Sequence, residues 1–228
     1  MGSNSVNAQY NVAASGSLAV KIAAHQRRKM YLAFLRVSAI GAEDTLLDVG
    51  ATSDQSYSHS NYLEAWYPQK SKITSVGLDD ASFLEEIYPG LTFIQADGRD
   101  LPFEDRSFDF VHSSAVIEHV GNRDMQTRFA RELWRVARKG VFVTTPNRWF
   151  PVEFHTVLPL LHWLPPPLFR KTLMALGREF FADEQNLNLL SSTELKQTAA
   201  HAGLSNFGIG SVSLFGWPTN LLLFARRN

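Results

Sequence analysis

Four short apolar runs, TLLDV at 45–49, ITSVGL at 73–78, LTFIQA at 91–96 and FDFVHS at 108–113, each stop at a polar or glycine cluster, and a fifth, GVFVTT, covers 140–145. Runs this short and this apolar suit strands buried on both faces of a sheet. Helical stretches separate most of them: NYLEAWY at 61–67, DASFLEEIY at 80–88 with Asp80 placed to cap, and 122–139, where Met125, Phe129, Leu133 and Val136 fall on one stripe. A further helix over 17–39 precedes the first strand. Strand and helix therefore alternate, which predicts an α/β fold with a Rossmann-like, doubly wound parallel sheet. The alternation stops between Pro146 and Asn188, where Trp149, Phe150, Phe154, Trp163, Phe169, Phe180 and Phe181 gather with most of the prolines, so residues 146–190 read as an inserted cap. Ser191 to Glu194 then spell a capping box, and FGIGSVSLF and NLLLFAR read as a closing antiparallel pair.

At 228 residues and 45% hydrophobic content, one domain with a sizeable core is expected over 1–228, with 1–16 flexible. Lysine plus arginine total 22 against 22 acids, so no net field draws the chain to nucleic acid. The absence of cysteine excludes disulfides and thiolate metal sites and fits a cytoplasmic protein. The polar N-terminus lacks the pattern of a signal peptide, and the longest apolar stretch, VLPLLHWLPPPLF, is broken by four prolines.

Ligands of open parallel sheets sit at the carboxyl ends of the strands. Those ends carry Asp48 and Gly50, then Asp79 and Asp80, then Asp97 and Gly98, then His112, Ser113 and Ser114. A carboxylate after the second strand can accept both ribose hydroxyls of a nucleoside, Asp97 can accept from an exocyclic amine, and Gly50 permits close backbone approach. Each acid alone is equally well a turn or capping residue. Their order and spacing favour a nucleoside cofactor. A pyrophosphate needs a tight glycine turn; here Gly50 is followed by Ala51, Thr52, Ser53 and Asp54, which suits the cationic, phosphate-free S-adenosylmethionine better.

The motifs D-V-G at 48–50, G-L-D-D at 77–80, Q-A-D-G-R-D-L-P-F at 95–103, S-F-D-F-V-H-S-S-A-V-I-E-H-V at 107–120 and GVFVTTPN at 140–147 resemble the ordered motifs of class I S-adenosylmethionine-dependent methyltransferases, nearest the ubiquinone and menaquinone biosynthesis group. The resemblance implies a seven-stranded sheet with its last strand antiparallel. It also implies that Gly50 and the following loop approach the methionine end, Asp79 the ribose, Asp97 and Gly98 the adenine, and Ser113 the methionyl side. Where the family carries further glycines this chain has Thr52, whose β-branched side chain would cost about 1 kcal/mol if φ had to be positive. The hydroxyls of Thr52 and Ser53 could replace backbone donors.

His119 in the E-H-V motif follows the fourth strand and is a candidate general base, with a structural role in tying down the loop as its rival. His155 and His162 in the cap are further candidates, and their spacing matches no recognised metal-ligand pattern, so no metal is expected. Arg128, Arg131, Arg135 and Arg138 share a helix face best read as solvated, with Asp124 and Glu132 in ion-pair reach. The aromatic cap is too short for a core of its own and could line a pocket for a small or lipid-like acceptor, or touch a membrane peripherally. The chain thus reads as a methyltransferase acting on a partly apolar acceptor. The alternatives are a catalytically silent binding protein of the same fold and, less favoured, a nicotinamide-dependent dehydrogenase.

Overall fold

A computed structural model describes residues 17–55 and 60–227, so the segment expected to be flexible at 1–16 lies outside the described residues. Strands β1 (Leu46–Val49), β2 (Ile73–Gly77), β3 (Thr92–Gln95), β4 (Phe108–Ser114), β5 (Ala137–Pro146), β6 (Phe207–Leu214) and β7 (Trp217–Arg226) form one sheet in the order β3-β2-β1-β4-β5-β7-β6. The first five run parallel, and β7 is antiparallel to both β5 and β6. The strand order reverses between β1 and β4, the position at which open sheets of this kind bind ligands.

Helices α1 (Leu18–Ser38), α2 (Tyr62–Trp66) and α3 (Phe83–Ile87) lie before, between and after the first two strands; α4 (Arg123–Val136) and α7 (Ser192–His201) cover the other face. Alternation along the strands sorts the side chains between these layers. On β1, Leu47 and Val49 join Phe129, Leu133 and Leu195 on the α4 side, while Leu46 joins Phe34, Tyr62 and Leu63 on the α1 side. Complete burial of Phe129 and Leu133 contributes roughly 1.5–3 kcal/mol each. The helix starts are fixed locally. Asn122 accepts from Met125 N to open α4, and the Ser191–Glu194 capping box opens α7 as the sequence suggests. Ser82 rather than Asp80 precedes α3; the Asp80 carboxylate instead accepts from Ser82 N in the turn before it.

The inserted segment carries α5 (Pro166–Ala175) and α6 (Glu179–Ala182), and here the structure corrects the sequence reading. Phe169, Leu173, Phe181, Ala182, Leu187 and Leu189 form a buried cluster, so the cap has its own core. Two short helices suffice because they pack on each other and on Leu187 and Leu189 of the loop that leads to α7. The arginines expected to share one helix face are tied down: on α4, Arg128 pairs with Asp100, Arg135 with Glu132 and Asp105, and Arg131 with the His201 carbonyl, whereas the helix expected to reach 139 ends at Val136 and Arg138 pairs with Asp109 from β5. No helix among the described residues is long and apolar enough to cross a membrane.

Candidate active site

The carboxyl ends of β1, β2, β3 and β4 surround a cavity of about 460 Å³, which the cap closes on one side. That volume falls in the rough 300–1,000 Å³ range of small-molecule sites. Gly50 and Thr52 line it from β1, Leu78 from β2, Asp97, Gly98 and Arg99 from β3, and Ser114 and Val116 from β4. His119, His155, Gln185 and Asn186 close the cap side.

Gly50 has φ of 121°, and a Cβ there would stand 2.1 Å from Val116 Cγ2. Only glycine satisfies both the backbone and the contact. A Cβ on Gly98 would sit 2.6 Å from Phe129 Cε2, so this position holds the floor of the cavity against α4. Thr52 does not have positive φ, and the expected strain is absent. Its backbone is clamped instead: Thr52 N donates to Asn61 Oδ1 and Asn61 Nδ2 donates to Thr52 O, both at 2.9 Å. Gly50 N and Ala51 N both donate to Val76 O, and Asp54 N donates to Thr52 Oγ1. The amides that a glycine turn would aim at a phosphate are therefore already engaged. Ser53 Oγ donates to Asp79 Oδ2 at 3.4 Å, which ties the loop to the end of β2.

Of the residues singled out in the sequence, Gly50, Thr52, Asp97, Gly98, His119 and His155 meet at the cavity. Asp48, Ser53, Asp79, Asp80 and Ser113 do not line it. Asp48 shares a strand face with Leu46, so its side chain points into the α1 layer, where His112 Nδ1 donates to it at 2.5 Å and Tyr62 donates to His112 Nε2 at 3.0 Å. Burial raises the Asp48 carboxyl to about 7 and lowers His112 to about 4. Ser113 is fully buried and donates to Val49 O at 2.7 Å; its neighbour Ser114 faces the cavity instead. Asp79 stands behind exposed Leu78, and Asp80 is turned to Ser82. Asp97 is at the cavity but chelated by Arg99, whose Nε and Nη2 donate to it at 2.6–3.0 Å; burial favours its neutral form, yet the guanidinium bonds win and hold the carboxyl below its ordinary range.

The histidines of the cap side form one group across 36 residues of chain. His119 Nδ1 donates to Asn186 O at 2.6 Å, His155 Nδ1 donates to Glu153 Oε1 at 2.7 Å, and the two Nε2 atoms face each other at 3.0 Å. Burial, then the neighbouring His155, lowers His119 to about 3. Burial opposes charge on His155 as well, but Glu153 outweighs it and raises the imidazole above its ordinary value. His162 lies apart, buried and donating to Phe150 O at 2.7 Å. Sequence reasoning missed Arg27 of α1, Ser60, Gln185 and Asn186, which reach the cavity from elements remote in the chain. Glu118 and Glu153 carried a signal, standing one and two residues before the histidines they serve.

An open sheet with a closing antiparallel hairpin and a cavity at the strand-order reversal is the Rossmann-like fold of methyltransferases. Residues 47–144 match the family model described as a methyltransferase domain. The ubiquinone/menaquinone biosynthesis C-methyltransferase UbiE of Xylella fastidiosa is 30% identical over 156 residues, covering 61% of this chain and 59% of that relative. An S-adenosylmethionine-dependent methyltransferase from Thermotoga maritima superposes with a TM-score of 0.54 at 17% identity, over 92% of this chain and 98% of the other. Phosphoethanolamine N-methyltransferase 2 of Haemonchus contortus, solved with S-adenosylmethionine, gives 0.55 at 14% identity over 81% and 38%. The chain therefore shares the fold of S-adenosylmethionine-dependent methyltransferases, matches a methyltransferase domain over residues 47–144, and spans about 59% of the length of the UbiE relative that it resembles.

Proposed function

We propose that the protein transfers the methyl group of S-adenosylmethionine to a small or lipid-like, partly apolar acceptor. The observation that carries this reading is the single cavity running from the ends of β1, β2 and β3 to the histidine pair under the cap. The donor set suits a nucleoside without phosphate. The amides of Gly50, Ala51, Thr52 and Asp54 are already bonded, and Arg99 is spent on Asp97, which leaves hydroxyls and carbonyls to meet a methionine moiety. A dinucleotide would find no amide nest for its pyrophosphate.

When bound, S-adenosylmethionine supplies a methyl group already activated on a sulfonium, so in-line positioning provides much of the rate. In this assignment Gly50 and Thr52 receive the methionine part, and Gly98 and the Asp97–Arg99 pair border the adenine. Asp79, freed from Ser53 by a change of rotamer, would accept from the ribose, while Asp48, Ser113 and Asp80 support the fold around the site. His119 and His155 face the acceptor. Two acceptor nitrogens 3.0 Å apart must share a cation, and in the simplest case His155 carries the proton that His119 accepts. In that form the pair stores one proton between two rings, and it can serve an acceptor that must lose a proton only after that proton has been released. Exposed Trp149 and Trp217, joined by a bond from Trp217 Nε1 to Trp149 O, and fully exposed Phe215 give a surface at the cap's start where a lipid-like acceptor or membrane could touch. A cytoplasmic setting agrees with the cysteine-free composition.

Calorimetric titration with S-adenosylmethionine and S-adenosylhomocysteine tests the reading directly. Saturable single-site heats are expected for both. No heat up to millimolar ligand would leave a silent protein of the same fold.

A further inference from the structure

Glu118, His119 and His155 each bring one ligand atom to the cap wall of the cavity, and these atoms lie within 4.8 Å of one another. The hydrogen bonds around them orient the two rings. His119 Nδ1 faces a carbonyl and must carry hydrogen, so its Nε2 presents a lone pair. His155 Nδ1 faces the Glu153 carboxylate, which also accepts from the backbone amides of His155 and Thr156, so its Nε2 is the atom turned toward His119. Two nitrogens of this kind approach to 3.0 Å only around something positive.

A third group points at the same spot. Glu118 is fully buried; its Oε2 accepts from Thr145 Oγ1 at 2.9 Å, while its Oε1 accepts no hydrogen bond among the described residues and stands 3.9 Å from His119 Nε2. A buried carboxylate oxygen without a donor costs on the order of 1–3 kcal/mol or more, and its direction toward two imidazole nitrogens marks the missing partner as a cation.

We propose that Glu118 Oε1, His119 Nε2 and His155 Nε2 bind one divalent transition-metal ion, zinc(II) above all, with an open position toward the cavity. Two histidines and one carboxylate are a familiar donor set for zinc and its neighbours. Tetrahedral zinc would separate the two nitrogens by about 3.3 Å, so the imidazoles need to part by only a few tenths of an ångström. Every ligand is already oriented by a second bond: His119 through Asn186 O, His155 through Glu153, and Glu118 through Thr145, the outer-shell pattern that fixes tautomer and direction in metal sites. The open position selects an acceptor that carries an oxygen donor, such as a phenol or enol. That last step rests on the methyl-transfer reading; the metal site does not.

The test uses the full chain, stripped with a chelator and titrated with zinc(II) and cobalt(II) in the absence of S-adenosylmethionine. Single-site zinc binding is expected, with visible cobalt d–d bands of a nitrogen and oxygen site that zinc displaces. Glu118→Gln and His155→Ala each abolish the bands, and Glu153→Gln, which leaves all three ligands in place, weakens binding about 10–100-fold. Circular dichroism identifies any variant that fails to fold, and the wild-type cobalt spectrum stands without them. Absence of cobalt bands in the folded wild type, or zinc binding that is unchanged in folded Glu118→Gln and Glu153→Gln, overturns the proposal in favour of a shared proton. Calorimetry with S-adenosylhomocysteine on the metal-free chain reports separately on the cofactor.

Discussion

Two buried histidines in this molecule are held by carboxylates in nearly the same way, and only one of them faces the cavity. Under α1 and α2, His112 donates to Asp48 and accepts from Tyr62, while burial keeps the Glu64 carboxyl well above its ordinary range; one of its oxygens accepts from Ser75 Oγ at 2.6 Å and the other has no hydrogen-bond partner among the described residues. Under the cap, His155 donates to Glu153, yet its other nitrogen meets a second acceptor, and Glu118 keeps one oxygen without a donor. The first group is sealed inside a layer and does not border the cavity, even though one Glu64 oxygen there is also unpartnered. The second is complete only with a proton, a metal or a substrate. Burial and a perturbed pKa are common to both, so neither distinguishes a site from a scaffold; an incomplete set of bonds at a cavity wall does.

The largest effect expected from this contrast is at Asp48. Asp48→Ala leaves His112 Nδ1 without its acceptor in a sealed layer. Urea denaturation should show a loss of about 3–5 kcal/mol, the range for breaking a buried charged or hydrogen-bonded pair. A loss below about 1 kcal/mol would mean that water reaches the group, and the distinction between closed and open would fail.

Asp48→Asn keeps the acceptor and removes the titration. The folded carboxyl sits near 7 against an ordinary 3.8, so the neutral form is favoured in the fold. Its contribution is fully present below about pH 4 and is lost as pH rises through 7. Relative to Asp48→Asn, the wild type should therefore lose on the order of 1 kcal/mol per pH unit between pH 4 and pH 7 and level off above. His112 acts in the opposite direction: its depressed pKa contributes stability above 6.5 that is lost as pH falls through 4. A difference that is flat with pH would place the Asp48 charge in contact with solvent.

The same contrast explains what could be read from the sequence. The strands, the α4 stripe and the capping box of α7 depend on local spacing and were legible, as was the approach of Gly50, Asp97 and Gly98 to one edge. Asp48 was legible as a strand-end acid but not as an inward one, because one residue of register decides which layer it enters. Asp97 gave no sign of its chelation by Arg99 two residues later, a side-chain geometry rather than a pattern. Glu118, His119 and His155 meet only because the cap folds back on the end of β4, and no periodicity reports that. The core of the cap was missed for a related reason: its apolar residues are spread over two short helices and a loop, none with a clear stripe.

His119→Ala is the smallest expected perturbation of stability and the sharpest test of the open group. The ring borders the cavity, and its removal enlarges a space that already admits solvent, leaving His155 bonded to Glu153. Thermal or urea unfolding should therefore change by no more than about 1 kcal/mol. The Asn186 carbonyl loses its donor but lies at the same wall and can be hydrated. If the histidine pair serves an acceptor that must be deprotonated, methyl transfer should fall on the order of 100-fold or more while S-adenosylhomocysteine affinity stays within a few-fold. Unchanged turnover with a candidate phenolic or enolic acceptor would return His119 to a purely structural role. A loss of stability matching Asp48→Ala would show that the cap group is as closed as the one beneath α1.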